Sequence, residues 1–155
     1  MKAEPFVVSP ETRSPALHVL GVEVTVLASN VRTQAYEITL QAGDEGTGPP
    51  PHRHDWDESF YVLRGQVEIH VEGRSHRCTP GMLVHLPAGT VHGYCFGAGG
   101  GEMFEIAGAG GNATCMFEAI SRQVPPGPPD VPTLVSLLED NGVTLVPPPP
   151  PSGST

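Results

Sequence analysis

Between residues 17 and 120 the chain repeats one local pattern. Short segments alternate apolar and polar residues: VEVTVLA (22–28), QAYEITLQA (34–42), SFYVL (59–63), QVEIHVEG (66–73), MLVHLP (82–87), TVHGYCF (90–96), EMFEIAG (102–108) and ATCMFEAI (113–120). A side-chain period of two is that of a β-strand, and eight such runs at regular spacing predict an all-β sandwich or barrel. In QVEIHVEG, Val67, Ile69 and Val71 fall on one face, leaving His70 on the solvated one. Gly65, Gly73, Gly81, Gly89 and the GAGGG run at 97–101 lie between the segments, where hairpins and corners need a positive φ.

Composition agrees with many short strands and tight turns. Only 16% of the 155 residues are charged, while Gly (19) and Pro (18) together approach a quarter. A chain of this length forms one domain, which buries roughly 70% of its unfolded surface. We place that domain at residues 1–146 and a proline-rich tail at 147–155. Near the end, Asp130 caps a predicted helix with Val131, Leu134, Leu137 and Leu138 at helical spacing, closed by Gly142. That single short C-terminal helix and a following strand, VTLV, are expected to pack outside the sandwich.

Charge and targeting signals exclude several functions. Acidic residues outnumber basic ones 17 to 8, for a formal charge of −9, and Lys2 is the only lysine. No basic patch exists to neutralise phosphates, so nucleic acid is not expected as a partner. The opening MKAEPFVVSPE lacks the apolar centre of a signal peptide, and no apolar run approaches the ~20 residues of a membrane span. A soluble cytoplasmic protein is expected. Cys78, Cys95 and Cys115 are widely spaced and odd in number, which fits buried small residues better than disulfides or a thiolate zinc site. The sequon at Asn112 has no role in a cytoplasmic chain.

The stretch GTGPPPHRHDWDESFYVLRG (46–65) carries the chemistry. His52, His54 and Glu58 share parity and point to one side if a strand continues through Asp55, Trp56 and Asp57. His92, in GMLVHLPAGTVHGYCF (81–96), follows a Pro87-Ala88-Gly89 turn, and the hairpin at 66–80 can bring the two segments together. Three imidazoles and a carboxylate without thiolates suit one divalent first-row transition ion, Fe, Mn, Ni, Cu or Zn. Four ligands leave room on a six-coordinate ion for water, O₂ or substrate, as in a catalytic site. Glu58 also becomes the candidate catalytic base. By parity, Phe60 and Val62 accompany Glu58, and Tyr94 and Phe96 accompany His92, as candidate substrate-binding residues. The remaining histidines, His18, His70, His76 and His85, have no comparable partners.

The two stretches resemble the two cupin motifs. Gly46, five residues, His52-x-His54, three residues, Glu58, six residues and Gly65 are similar to the first motif. Gly81, five residues, Pro87-x-Gly89, two residues and His92 are similar to the second. Phe96 stands where the second motif usually carries Asn, a position that is not a ligand in the family. The resemblance implies a cupin jelly roll with a metal held by the four residues named. Among small single-domain cupins the chain looks most like the quercetinase-like group. This implies a metal-dependent dioxygenase that cleaves a flavonol- or diketone-like enolisable aromatic. Cupin-type polyketide cyclases, which need no O₂, and non-catalytic binding modules are the alternatives. Exposed edges in such sandwiches often pair across a two-fold axis, so a homodimer joined through the N-terminal or C-terminal segment is expected.

Overall fold

The computed structural model describes residues 2–148, so most of the proline tail at 147–155 lies outside the described residues. Nine strands form one curled, wholly antiparallel sheet: β1 (Leu17–Val19), β2 (Val22–Ala28), β3 (Glu37–Gly43), β4 (His52–His54), β5 (Glu58–Val71), β6 (Arg74–Cys78), β7 (Leu83–Leu86), β8 (His92–Ala107) and β9 (Val143–Leu145). A single turn of helix, α1 (Asn30–Thr33), follows β2, and α2 (Ala113–Gln123) and α3 (Val131–Asp140) come after β8. The fold is the all-β architecture expected from the alternation, in the jelly-roll form that the resemblance implies.

Two long strands organise it. The expected segments at 59–63 and 66–73 merge into β5, and those at 90–96 and 102–108 merge into β8. β5 and β8 pair along their whole lengths, from Glu58↔Ala107 to Val71↔His92. The pairing slips between Val62 and Arg64 and again between Gly65 and Val67, and bulges of this kind bend a strand. Gly65 sits in the bend with φ +72, and a Cβ there would lie 2.1 Å from the Gly100 carbonyl oxygen. The ribbon folds back here and wraps a core that includes Phe60, Val62, Val67, Ile69, Phe96 and Met103. β6 and β7 pair with the outer edge of β5, while β3 and β4 share the other edge of β8.

β3 inverts the usual rule. Its polar residues Glu37, Thr39 and Gln41 face inward at 1% exposure, and Ile38 and Leu40 face outward, half-buried. Phe104 and Ile106 of β8 lie on the same outer face beside Ile38, and residues 3–8, including Phe6, run against it.

The segment 113–120, read as a strand from its alternation, is helix α2 instead. Its Asn112 N-cap side chain makes no capping bond. The first turn is held by buried Glu37, which accepts from Ala113 N at 2.9 Å and Thr114 N at 3.3 Å. Carboxylates are favoured at helix N-termini, and this one comes from 76 residues away, out of reach of any local pattern. The helix buries Ala113, Phe117 and Ile120.

α3 runs as expected, with Asp130 accepting from Thr133 N and Leu134, Leu137 and Leu138 buried; Val131 is exposed. β9 does not pack outside the sheet. It pairs with β4, setting Leu145 opposite His52 and Val143 opposite His54. The cysteine reading holds for Cys78 alone, since Cys95 is half-buried and Cys115 exposed. No helix among the described residues is long and apolar enough to cross a membrane.

Candidate metal centre

His52, His54, Glu58 and His92 come together, each offering one donor atom within 4.8 Å of the others. The expected continuous strand does not form: β4 ends at His54 and β5 starts at Glu58. Parity is therefore not what aims these side chains at one point. The break at 55–57 turns the chain, and its backbone is fixed by the second segment. Gly89 N donates to His54 O at 2.8 Å, Ala88 N to Asp57 Oδ1 at 2.8 Å, and Gly108 N to Asp57 O at 2.7 Å. The Trp56 indole stacks on the His54 ring at 4.1 Å and 7°. Opposite, His52 and His92 are direct partners across β4 and β8, with ring centroids 4.4 Å apart.

All three rings are oriented alike. Nδ1–H donates to the Pro50 carbonyl in His52 (2.9 Å), to Trp56 O in His54 (3.0 Å) and to Thr90 O in His92 (2.9 Å). Such bonds fix the tautomer that leaves the Nε2 lone pair free, as in metal-binding imidazoles. His54 Nε2 and His92 Nε2 lie 3.4 and 2.7 Å from Glu58 Oε2. His92 Nε2 is buried and, despite that distance, meets no hydrogen-bond acceptor at a usable angle. Donors on one ion at ~2.1 Å stand about 3 Å apart when adjacent and about 4 Å when opposite, so the cluster's spacing fits a shared ion. The cluster could hold a metal ion.

The charges are set by burial and by one another. Burial, then the neighbouring His92 charge, pushes His52 down to about 4, so it is a neutral, ligand-ready imidazole near neutrality. Burial alone would raise the Glu58 carboxyl, but contacts with His54 and His92 outweigh it and hold it well below the usual carboxylate range. Burial opposes a charge on His92, yet the contact with Glu58 raises its pKa.

Beside the cluster lies a mostly apolar cavity of about 90 Å³, lined by Trp56 and, from the sheet, by Phe60 and Tyr94. Met116, Phe117, Leu134 and Leu138 of the two helices and Val143 and Leu145 of β9 complete it. Phe60 and Tyr94 meet edge to face at 5.5 Å. Val62 and Phe96, also picked by parity, are 1% exposed in the core and are not among the cavity-lining residues. Of the other histidines, His85 bonds Ser59 at 2.9 Å and His70 bonds Ser75 at 2.8 Å, away from the site.

Sequence reasoning missed a polar chain in this cavity. The Tyr94 hydroxyl donates to Gln41 Oε1, and Gln41 Nε2 donates to Glu105 Oε2. Burial, then the charge of Glu58, pushes the Glu105 carboxyl well above the usual carboxylate range. Burial likewise raises the Tyr94 phenol. The only signal was polar residues at alternate positions of ITLQA and EMFEI, which reads equally well as a solvated face.

The cupin domain family matches residues 36–104. The chain is 32% identical over 71 residues to quercetin 2,3-dioxygenase of Bacillus subtilis, a match covering 44% of this chain and 21% of that protein. It is 31% identical over 84 residues to auxin-binding protein T85 of Nicotiana tabacum, covering 46% and 45% respectively. The chain thus matches less than half the length of either relative. Among solved structures, the polyketide cyclase RemF of Streptomyces resistomycificus superposes with a TM-score of 0.59 at 20% identity, covering 68% of this chain and 80% of that one.

Proposed function

We propose that this chain, whose residues 36–104 match the cupin domain family, is a metal-dependent dioxygenase acting on a small enolisable compound, flavonol- or diketone-like. His52, His54, Glu58 and His92 hold one divalent first-row ion, Fe, Mn, Ni, Cu or Zn. The observation that carries this reading is the common orientation of three imidazoles, each with Nδ1 tied to a backbone carbonyl and Nε2 left free over Glu58. When bound, the ion supplies a Lewis acid for two adjacent substrate oxygens and, if redox-active, a site for O₂.

The chain's own groups do the rest. Glu58, buried among the three histidines, is the carboxylate placed to accept the enol proton of a guest. Phe60 packs between Tyr94 (5.5 Å) and His92 (6.2 Å) and presents its ring to a planar guest. The apolar residues of α2, α3 and β9 exclude bulk water, which strengthens each polar contact inside. The similarity to the dioxygenase favours O₂ chemistry, while the fold shared with RemF favours a redox-silent cyclase or isomerase as the second reading. Relatedness to an auxin-binding protein supports a third, ligand binding without turnover.

An oxygen electrode decides among them. Protein loaded with Fe, Mn, Ni or Cu is expected to consume O₂ with a panel of flavonols and β-diketones. Silence across the panel removes the dioxygenase, and anaerobic turnover by the Zn form supports the cyclase. We further expect a cytoplasmic homodimer. The N-terminal segment, which runs along the half-buried apolar face of Ile38, Phe104 and Ile106, is the expected contact with a second copy, and elution at the mass of one chain contradicts it.

A further inference from the structure

We infer that Gln41 and Tyr94 form a hydroxyl-accepting part of the guest site, so that the guest carries a hydroxyl group besides the edge that meets the four-residue cluster. This rests on the reading above and narrows its substrate class.

The cavity measures about 90 Å³ for the centres of water-sized groups.

Part of the cavity wall is polar in a directed way. Gln41 is 1% exposed and Tyr94 5%, and both line the cavity. Gln41 spends both amide hydrogens, one on Glu105 Oε2 and one toward Thr39 Oγ1 at 3.4 Å. Tyr94 spends its hydroxyl hydrogen on Gln41 Oε1. What remains is acceptor capacity only: the lone pairs of Tyr94 Oη and the second lone pair of Gln41 Oε1. A buried acceptor in apolar surroundings is stabilised by a donor from the guest. Both acceptors are uncharged, so a neutral hydroxyl suits them, whereas an ammonium would lose hydration that they do not replace.

The test uses kojic acid and allomaltol, hydroxypyranones that share a chelating edge and differ by one hydroxyl on the far side of the ring. Calorimetry on the zinc-loaded protein, where O₂ chemistry is silent, is expected to show kojic acid binding about tenfold more tightly. Tyr94→Phe, which keeps the ring, and Gln41→Leu should each bring the two affinities together while zinc content stays unchanged. If Gln41→Leu does not fold, Tyr94→Phe carries the test alone. Equal binding by the unaltered protein, or a preference that survives Tyr94→Phe, overturns this inference and leaves the proposed function standing. Binding of neither pyranone by zinc-replete protein overturns both.

Discussion

Glu58 pairs with Ala107 and His92 with Val71, at opposite ends of the β5–β8 ribbon, yet their side chains meet at 2.7 Å. That meeting is possible only because the ribbon folds back on itself at its bulges. The cluster is therefore a property of the bend as much as of the four residues.

Substituting the glycine at the bend should damage both fold and site. In Gly65→Ala the new Cβ meets the Gly100 carbonyl oxygen at 2.1 Å, and φ is +72. The backbone must shift, at a cost of about 2 kcal/mol or more. Urea denaturation should register that loss, and metal affinity should fall with it because the two ends of the ribbon no longer register. A variant as stable as the parent, with full metal uptake, would show that the bend tolerates a side chain.

Removing a candidate ligand should separate its roles. His54→Ala leaves two imidazoles and a carboxylate, and elemental analysis after dialysis should find the ion lost. It also unstacks Trp56, so circular dichroism is needed to show that the fold persists. Glu58→Gln keeps the shape of the carboxylate and some metal, but cannot accept a proton; turnover should drop about 10²-fold or more. Retention of full metal in His54→Ala would remove that residue from the ligand set.

Acid should weaken metal binding with a defined sign. His52, pushed down to about 4, is neutral near neutrality and gives up no proton to an ion. His92, with its pKa raised above 6.5, must release one. Affinity should fall as pH drops below the raised value, by about tenfold per pH unit for one displaced proton. Calorimetry in two buffers of different ionisation enthalpy measures that proton. In metal-free protein the raised His92 stabilises below 6.5 and loses its effect as pH rises through the folded value. The depressed Glu58 stabilises above 4.5 and loses its effect as pH falls toward its folded value. The pair thus contributes most between 4.5 and 6.5, and in His92→Gln the thermal midpoint should lose that maximum.

Much of the site was legible because its signals are local. His52, His54 and Glu58 lie within seven residues, and the glycine-marked turns fix where each strand ends. The reason they converge was not legible. Parity implied a continuous strand, whereas the chain breaks at 55–57 and is re-aimed by Asp57 and by Gly89 of the second segment. The face of β3 was equally hidden. ITLQA alternates the same way whether its polar side meets water or a cavity, and only the closed barrel decides that Gln41 points inward.

Helix α2 gives the sharpest test of a long-range cause. ATCMFEAI alternates well enough to pass for a strand, and nothing beside it caps a helix. The buried Glu37 carboxylate supplies the missing acceptor for the N–H groups of Ala113 and Thr114. Glu37→Ala removes it, and unsatisfied buried donors cost about 1–3 kcal/mol. Glu37→Gln keeps one acceptor oxygen and should recover part of that loss. Since Phe117 and Ile120 form part of the cavity wall, the first turn's fraying should also admit solvent. Hydrogen exchange at residues 113–117 and binding of a hydrophobic dye should both rise in Glu37→Ala and fall back in Glu37→Gln. If helix α2 exchanges as slowly in Glu37→Ala as in the parent, its own residues suffice to form it, and the capping role assigned to β3 is wrong.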